Sequence, residues 1–173
     1  PNNRSLHKIP TPRGGGLSFI IPLLVFDLLT LYFEKLSSSF PLSLLCLPLI
    51  VISFWDDLFK VRSIYRYLVQ FLSSILILKF SSFNLFFDIS FENIFLLSLL
   101  IIIITAIINF TNFMDGSDGL VAGCMLVILL TLNIKLNLTP NLTLLLGSLL
   151  TFLFWNWPPA KIFMGDVGSN FLG

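Results

Sequence analysis

Long apolar runs alternate along this chain with four short polar islands. A helix that crosses a bilayer needs about 20 mostly apolar residues, with roughly 17 to 25 tolerated. On that measure six helices are predicted, over about 15–33, 40–55, 64–82, 94–110, 119–136 and 142–157. The second and sixth are short for a span. A membrane β-barrel would show strict alternation, whereas the stretch from Leu96 to Ile108 is almost wholly apolar. The predicted fold is all-α, a polytopic transmembrane helix bundle. It forms one integral-membrane domain over residues 1–173, without an internal repeat or a soluble domain.

The islands are His7 to Gly16, Asp56-Asp57, Asn109 to Gly119 and Met164 to Ser169. Even numbers of predicted crossings separate them, so all four should return to one side. Basic residues say which side. Arg4, Lys8, Arg13, Lys60, Arg62, Arg66 and Lys161 fall with the islands, against Lys35, Lys79 and Lys135 opposite. By the positive-inside rule the islands face the cytoplasm.

Composition agrees with this class. The chain is 56% hydrophobic and 11% charged, with a mean hydropathy of +0.96. A soluble domain carries about a quarter charged residues. The net charge of +1 decides nothing. No Cys/His pattern suggests zinc, nucleic acid is not an expected partner, and Cys46 and Cys124 are predicted to be buried, inert thiols. The chain opens at Pro1, and Ser169 to Gly173 run toward a further helix, so both ends are expected to be internal to a longer protein.

Each island has its own chemistry. Asp56 and Asp57 repel one another at the membrane interface. They suggest a divalent cation, a proton acceptor, or a solvated helix end paired with Lys60, Arg62 and Arg66. Asn112, Asp115 and Asp118 recur every three residues, so a continuing helical turn would put them on one face. Asp118 could also cap the helix that follows. Asp166 is flanked by Gly165 and Gly168, whose backbone could turn amides toward phosphate oxygens. Hard oxygen donors suit magnesium, which usually bridges one or two carboxylates to substrate phosphates. Lys8, Arg13 and Gly14 to Gly16 stand where a helix N-terminus favours anions, although simple lipid anchoring explains the bases equally well. His7 reads as structural. Asp27 lies inside the first run, about 20 Å deep, which favours a buried partner or the far interface over a proton relay.

At these islands the sequence resembles the polyprenyl-phosphate N-acetylhexosamine-1-phosphate transferases (glycosyltransferase family 4). The resemblance is carried by Arg4 to Gly16, Trp55-Asp56-Asp57 with Arg66 and Gln70, Asn109 to Leu120, and Asn156 to Ser169, in the family's order. Pro12-Arg13-Gly14-Gly15-Gly16 is more similar to the O-antigen and common-antigen branch than to the peptidoglycan translocases. The resemblance implies transfer of a sugar-1-phosphate from a UDP-N-acetylhexosamine to undecaprenyl phosphate, with release of UMP, at the bacterial plasma membrane. It implies Mg2+, or Mn2+ in its place, held by Asn112 and Asp166. Asp115, Asp118 and Asn156 would belong to the nucleotide pocket, and Lys8 and Arg66 would face phosphate. Asp56, Asp57 and Asp166 would be the catalytic acids. Family members have ten or eleven helices and a later His-rich loop, so this chain corresponds to a central portion. Which sugar is used stays open, as does the oligomeric state, a homodimer among the options. A transporter would put acids along its helices; here only Asp27, of nine acids, is clearly interior.

Overall fold

In lipid a backbone can satisfy its polar groups only within a helix or a closed barrel, so the apolar runs fold as helices. The computed structural model describes residues 11–33, 41–80 and 90–173. Across these residues run α1 (Leu17–Phe33), α2 (Leu42–Leu45), α3 (Leu47–Phe59), α4 (Ser63–Phe80), α5 (Phe91–Met114), α6 (Leu120–Lys135), α7 (Pro140–Asn156) and α8 (Gly165–Leu172), with no strand among them. Islands one to four therefore lie at the start of α1, the end of α3, the end of α5 and the start of α8. His7 and Lys8 fall outside the described residues.

Two boundaries differ from expectation. The second run is a short helix and a longer one, broken at Cys46, with Pro48 in the first turn of α3 where its missing N–H costs no helical bond. α3 then runs on to Phe59, so Asp56 and Asp57 sit in its last turn and not beyond it. Lys60 stops the helix in a left-handed conformation at φ 51°. The final helix begins earlier than expected, at Gly165.

By length and composition, α4 (18 residues, mean hydropathy 1.2) and α5 (24 residues, 2.7) can cross a membrane. α1, α6 and α7, at 17, 16 and 17 residues, are shorter. At 1.5 Å per residue they are roughly 25 Å long, just under a hydrocarbon core of about 30 Å. The outward faces remain apolar: Ile102 is 65% exposed, Val127 67% and Phe154 79%. Continuous apolar surface of this kind needs lipid or protein against it.

Phe19, Ile20, Leu149, Phe152, Met164 and Val167 form the centre of the core, joining α1, α7 and α8. α8 packs against α3, α5 and α1. Its approach to α1 is possible only without side chains: a Cβ on Gly16 would lie 2.4 Å from the Cα of Gly168. At the opposite end of the bundle Asp27 is buried, as expected, with partners. It accepts hydrogen bonds from the Ser43 hydroxyl and, at 2.6 Å, from the Asn141 amide. Cys46 is buried, but Cys124 is exposed on the outward side of α6, contrary to expectation. The periodicity of α6 is too weak to tell its inner face from its outer one.

Candidate active site

The described parts of all four islands meet at one end of the bundle, as crossing parity required. The first and fourth are stitched by backbone. Gly15 and Gly16 N–H donate to the carbonyls of Phe163 and Met164, each at 2.9 Å, and Phe163 N–H donates to Pro12. The Gly15 and Gly16 amides are thus engaged with protein and are not open to an anion, contrary to what their position at a helix start suggested.

Asp57 joins the second island to the fourth. Its two carboxylate oxygens accept the N–H groups of Asp166 (3.0 Å) and Val167 (3.1 Å), so it caps α8 from another helix. An anion is favoured at that position by the unpaired amides and by the helix dipole. Gly165, at φ 77°, makes room, since a Cβ there would stand 2.7 Å from the Asp57 carboxylate. The Asp166 and Val167 amides, which could have faced phosphate, are taken by Asp57.

Asp56 points elsewhere. It accepts Val61 N–H at 2.6 Å and pairs with Arg66 at 2.6 Å; the same guanidinium reaches Asp166 at 3.3 Å. Burial pushes the Asp56 carboxyl up, but a hydrogen bond from Asp166, the Val61 amide and Arg66 outweigh it and hold the group below its ordinary range. Asp166 responds in the opposite sense, raised to about 6 by burial, by its bond to Asp56 and by the charges of Asp57 and Asp56. Asp115, just past the end of α5, is raised to about 7 by burial and by Asp166 and Asp57, with Arg13 opposing.

The third island departs from the helical face expected of it. α5 stops at Met114, so Asn112 lies in its last turn, Asp115 caps it, and Asp118 belongs to the connecting turn. Nor does Asp118 cap α6. Gly119, in a left-handed conformation at φ 71°, takes that position, and Asp118 instead accepts Ala160 N–H at 3.0 Å. Asn156 is 4% exposed with both ends of its amide on backbone: it accepts Gly119 N–H and donates to the Ile162 carbonyl. It therefore braces the two loops and presents no free amide. Asn170 escaped the sequence reading. It receives the Asn112 amide at 3.1 Å and donates to the Ser53 hydroxyl at 2.9 Å. Its place one helical turn after Asp166 was the available signal.

Among the described residues no three Asp, Glu, His or Cys side chains converge tightly enough to hold a metal by themselves. Magnesium does not require that, because it keeps several waters and takes one or two carboxylates plus substrate phosphates. Asp166 and the Asn112 carbonyl are hard oxygen donors of that kind. Burial and neighbouring carboxylates raise Asp115 and Asp166, and the carboxylate repulsion is what a divalent cation would relieve. The donor set fits such an ion.

The bundle thus gathers Asp56, Arg66, Asp115 and Asp166 at one end. The sequence profile of Glycosyl transferase family 4 matches residues 39–173, and the chain belongs to that family. Among its relatives is the protein of Bacillus subtilis (strain 168) named probable undecaprenyl-phosphate N-acetylglucosaminyl 1-phosphate transferase, 32% identical over all of this chain and 51% of its own length. Two proteins named phospho-N-acetylmuramoyl-pentapeptide-transferase are similar to a like degree. That of Petrotoga mobilis is 34% identical over 96% of this chain and 59% of its own length. That of Deinococcus radiodurans is 31% identical over 97% and 60%. The chain thus spans between half and three-fifths of these relatives.

Proposed function

We propose that the protein of which this chain forms part transfers an N-acetylhexosamine-1-phosphate from a UDP-sugar to undecaprenyl phosphate. One observation carries the reading beyond the family. An apolar groove of about 730 Å3 between α3 and α4 is lined by Val51, Trp55, Val61 and Leu68. Val61 lines the groove and also donates its N–H to Asp56. A polyprenyl tail in the groove would bring its phosphate to Arg66 from the membrane side.

In this reading an oxygen of the lipid phosphate attacks the sugar-bearing phosphorus of the donor. The bond to the uridylyl phosphate breaks, UMP leaves, and a lipid-linked pyrophosphoryl sugar remains. Positioning and charge neutralisation supply most of the catalysis in such transfers. Asp166 and the Asn112 carbonyl would hold Mg2+, which when bound would neutralise the donor's pyrophosphate. Arg66, with Lys8, draws in the acceptor phosphate. Asp115 and Asp118 border the nucleotide, and Asn156 acts through Gly119 and Ile162. Asp56 is held below the ordinary carboxylate range, so it is a weak base and a strong partner for Arg66. The lipid phosphate is largely ionised near neutrality and needs no base. Asp57 acts by capping α8, which carries Asp166. The site faces the cytoplasm at the plasma membrane, on the evenness of crossings and the basic-residue asymmetry. The Pro12-Arg13-Gly14-Gly15-Gly16 form favours a pathway that starts an envelope polysaccharide such as O-antigen.

The names of the Petrotoga and Deinococcus relatives favour a second reading, with UDP-N-acetylmuramoyl-pentapeptide as donor. Full-length protein in nanodiscs with undecaprenyl phosphate and radiolabelled donors separates the two. Label should enter lipid from UDP-N-acetylglucosamine or another UDP-N-acetylhexosamine. Transfer from the muramoyl-pentapeptide donor alone would establish the second reading, and no transfer from any donor would overturn both.

A further inference from the structure

The site contains a brace that neither the sequence motifs nor the proposed chemistry assigns. Asn112 donates its side-chain N–H to the Asn170 carbonyl at 3.1 Å, and Asn170 donates in turn to the Ser53 hydroxyl at 2.9 Å. Asn170 and Ser53 are 3% and 1% exposed, so water does not compete for the bond between them, while Asn112 is half-buried. The relay ties the last turn of α5 to α8 and α3. It is backed by close packing: a Cβ on Gly173 would lie 2.8 Å from the Cα of Ile108 and 3.0 Å from the Cβ of Thr111.

We propose that Asn170 is the positioning residue for Asn112 as a cation ligand. The inference rests on the metal reading above and extends it. A carboxamide ligates a hard cation through oxygen, not through its nitrogen. The terminal torsion of a free asparagine is broad and roughly two-fold, so an unbraced Asn112 would often turn its NH2 toward the ion. Engaging the nitrogen with Asn170 directs the oxygen outward. Asp166 and Asn170 are four residues apart on α8 and share one face of it. A single helix face therefore carries one proposed ligand and orients the other, which sets the separation between them. Groups that orient metal ligands in this way typically contribute 10- to 100-fold in affinity.

The test is a titration of full-length protein in nanodiscs with Mn2+ alone, followed by the loss of the free-ion EPR signal, so that no turnover is needed. Asn112→Ala should weaken Mn2+ binding, and Asn170→Leu should weaken it about tenfold. In the double variant Asn170→Leu should add nothing to Asn112→Ala, since the brace then has nothing to orient. An effect that persists in the Asn112→Ala background would mark Asn170 as merely structural and overturn the proposal. So would wild-type affinity in Asn170→Leu while Asn112→Ala is impaired. Should Asn170→Leu not insert, Asn170→Ala and Ser53→Ala carry the same cycle, with Ser53→Ala expected to give the smaller loss. If wild-type protein binds no Mn2+, the metal reading fails and the positioning role falls with it, an outcome distinct from failure of the brace alone.

Discussion

Asp57→Ala tests most directly how the site is built, because Asp57 is assigned to hold a helix and not to touch substrate. The substitution removes the acceptor of two backbone N–H groups, at 3.0 and 3.1 Å, from the first turn of α8. Hydrogen bonds to a charged group contribute about 1.5–3 kcal/mol each, and loss of an ordinary cap costs about 0.5–2 kcal/mol. These ranges overlap, and removing one negative charge relieves Asp115 and Asp166. A net cost of about 3 kcal/mol to the opening of that turn is therefore expected. At about 1.4 kcal/mol per factor of ten, amide exchange there should accelerate roughly a hundredfold. Hydrogen exchange read by mass spectrometry on the peptide covering 163–173 in nanodiscs measures this, with the 140–156 helix as internal control. Turnover should fall with it, because Asp166 sits in the loosened turn. Unchanged exchange together with lost turnover would refute the capping role and return Asp57 to direct chemistry.

Asp166→Asn should abolish turnover in protein that still inserts, since the amide lacks the charge proposed to hold Mg2+; near-normal activity at limiting Mg2+ would sink that assignment. Asp56→Asn should lose activity across the pH range, because the acid holds Arg66; recovery to within a few fold of wild type at alkaline pH would restore a general-base role. Metal-free protein should melt lower at pH 8 than at pH 5.5. Asp115 and Asp166 titrate at about 7 and 6 when folded, so the stability they contribute below their unfolded value is lost as pH rises through those values, and Asp115→Asn should flatten the dependence. A cysteine at Gly116, where a Cβ meets nothing within 4 Å, should be labelled in a Cys124→Ala background only from the cytoplasmic side; labelling from outside would overturn the topology.

The helical fold and the gathering of the islands were legible in the order of residues alone. Lipid leaves a long apolar run little choice but helix, and crossing parity depends only on how many runs lie between two islands. The burial of Asp27 with polar partners was legible for a similar reason, because a charge at that depth cannot remain unpaired. Roles within the site were not legible. Asp56 and Asp57 are neighbours in sequence, yet one meets Arg66 and the other the α8 amides 109 residues away. A shift of one position along a helix turns a side chain by about 100°, and only packing decides what lies there. The same holds for the Gly15 and Gly16 amides, which a local reading leaves free for phosphate and the fold assigns to Phe163 and Met164. Asn112 as a candidate ligand could be read from its island. Asn170 could not be read as its brace, because that pairing exists only where α5 and α8 approach closely enough for one carboxamide to orient another.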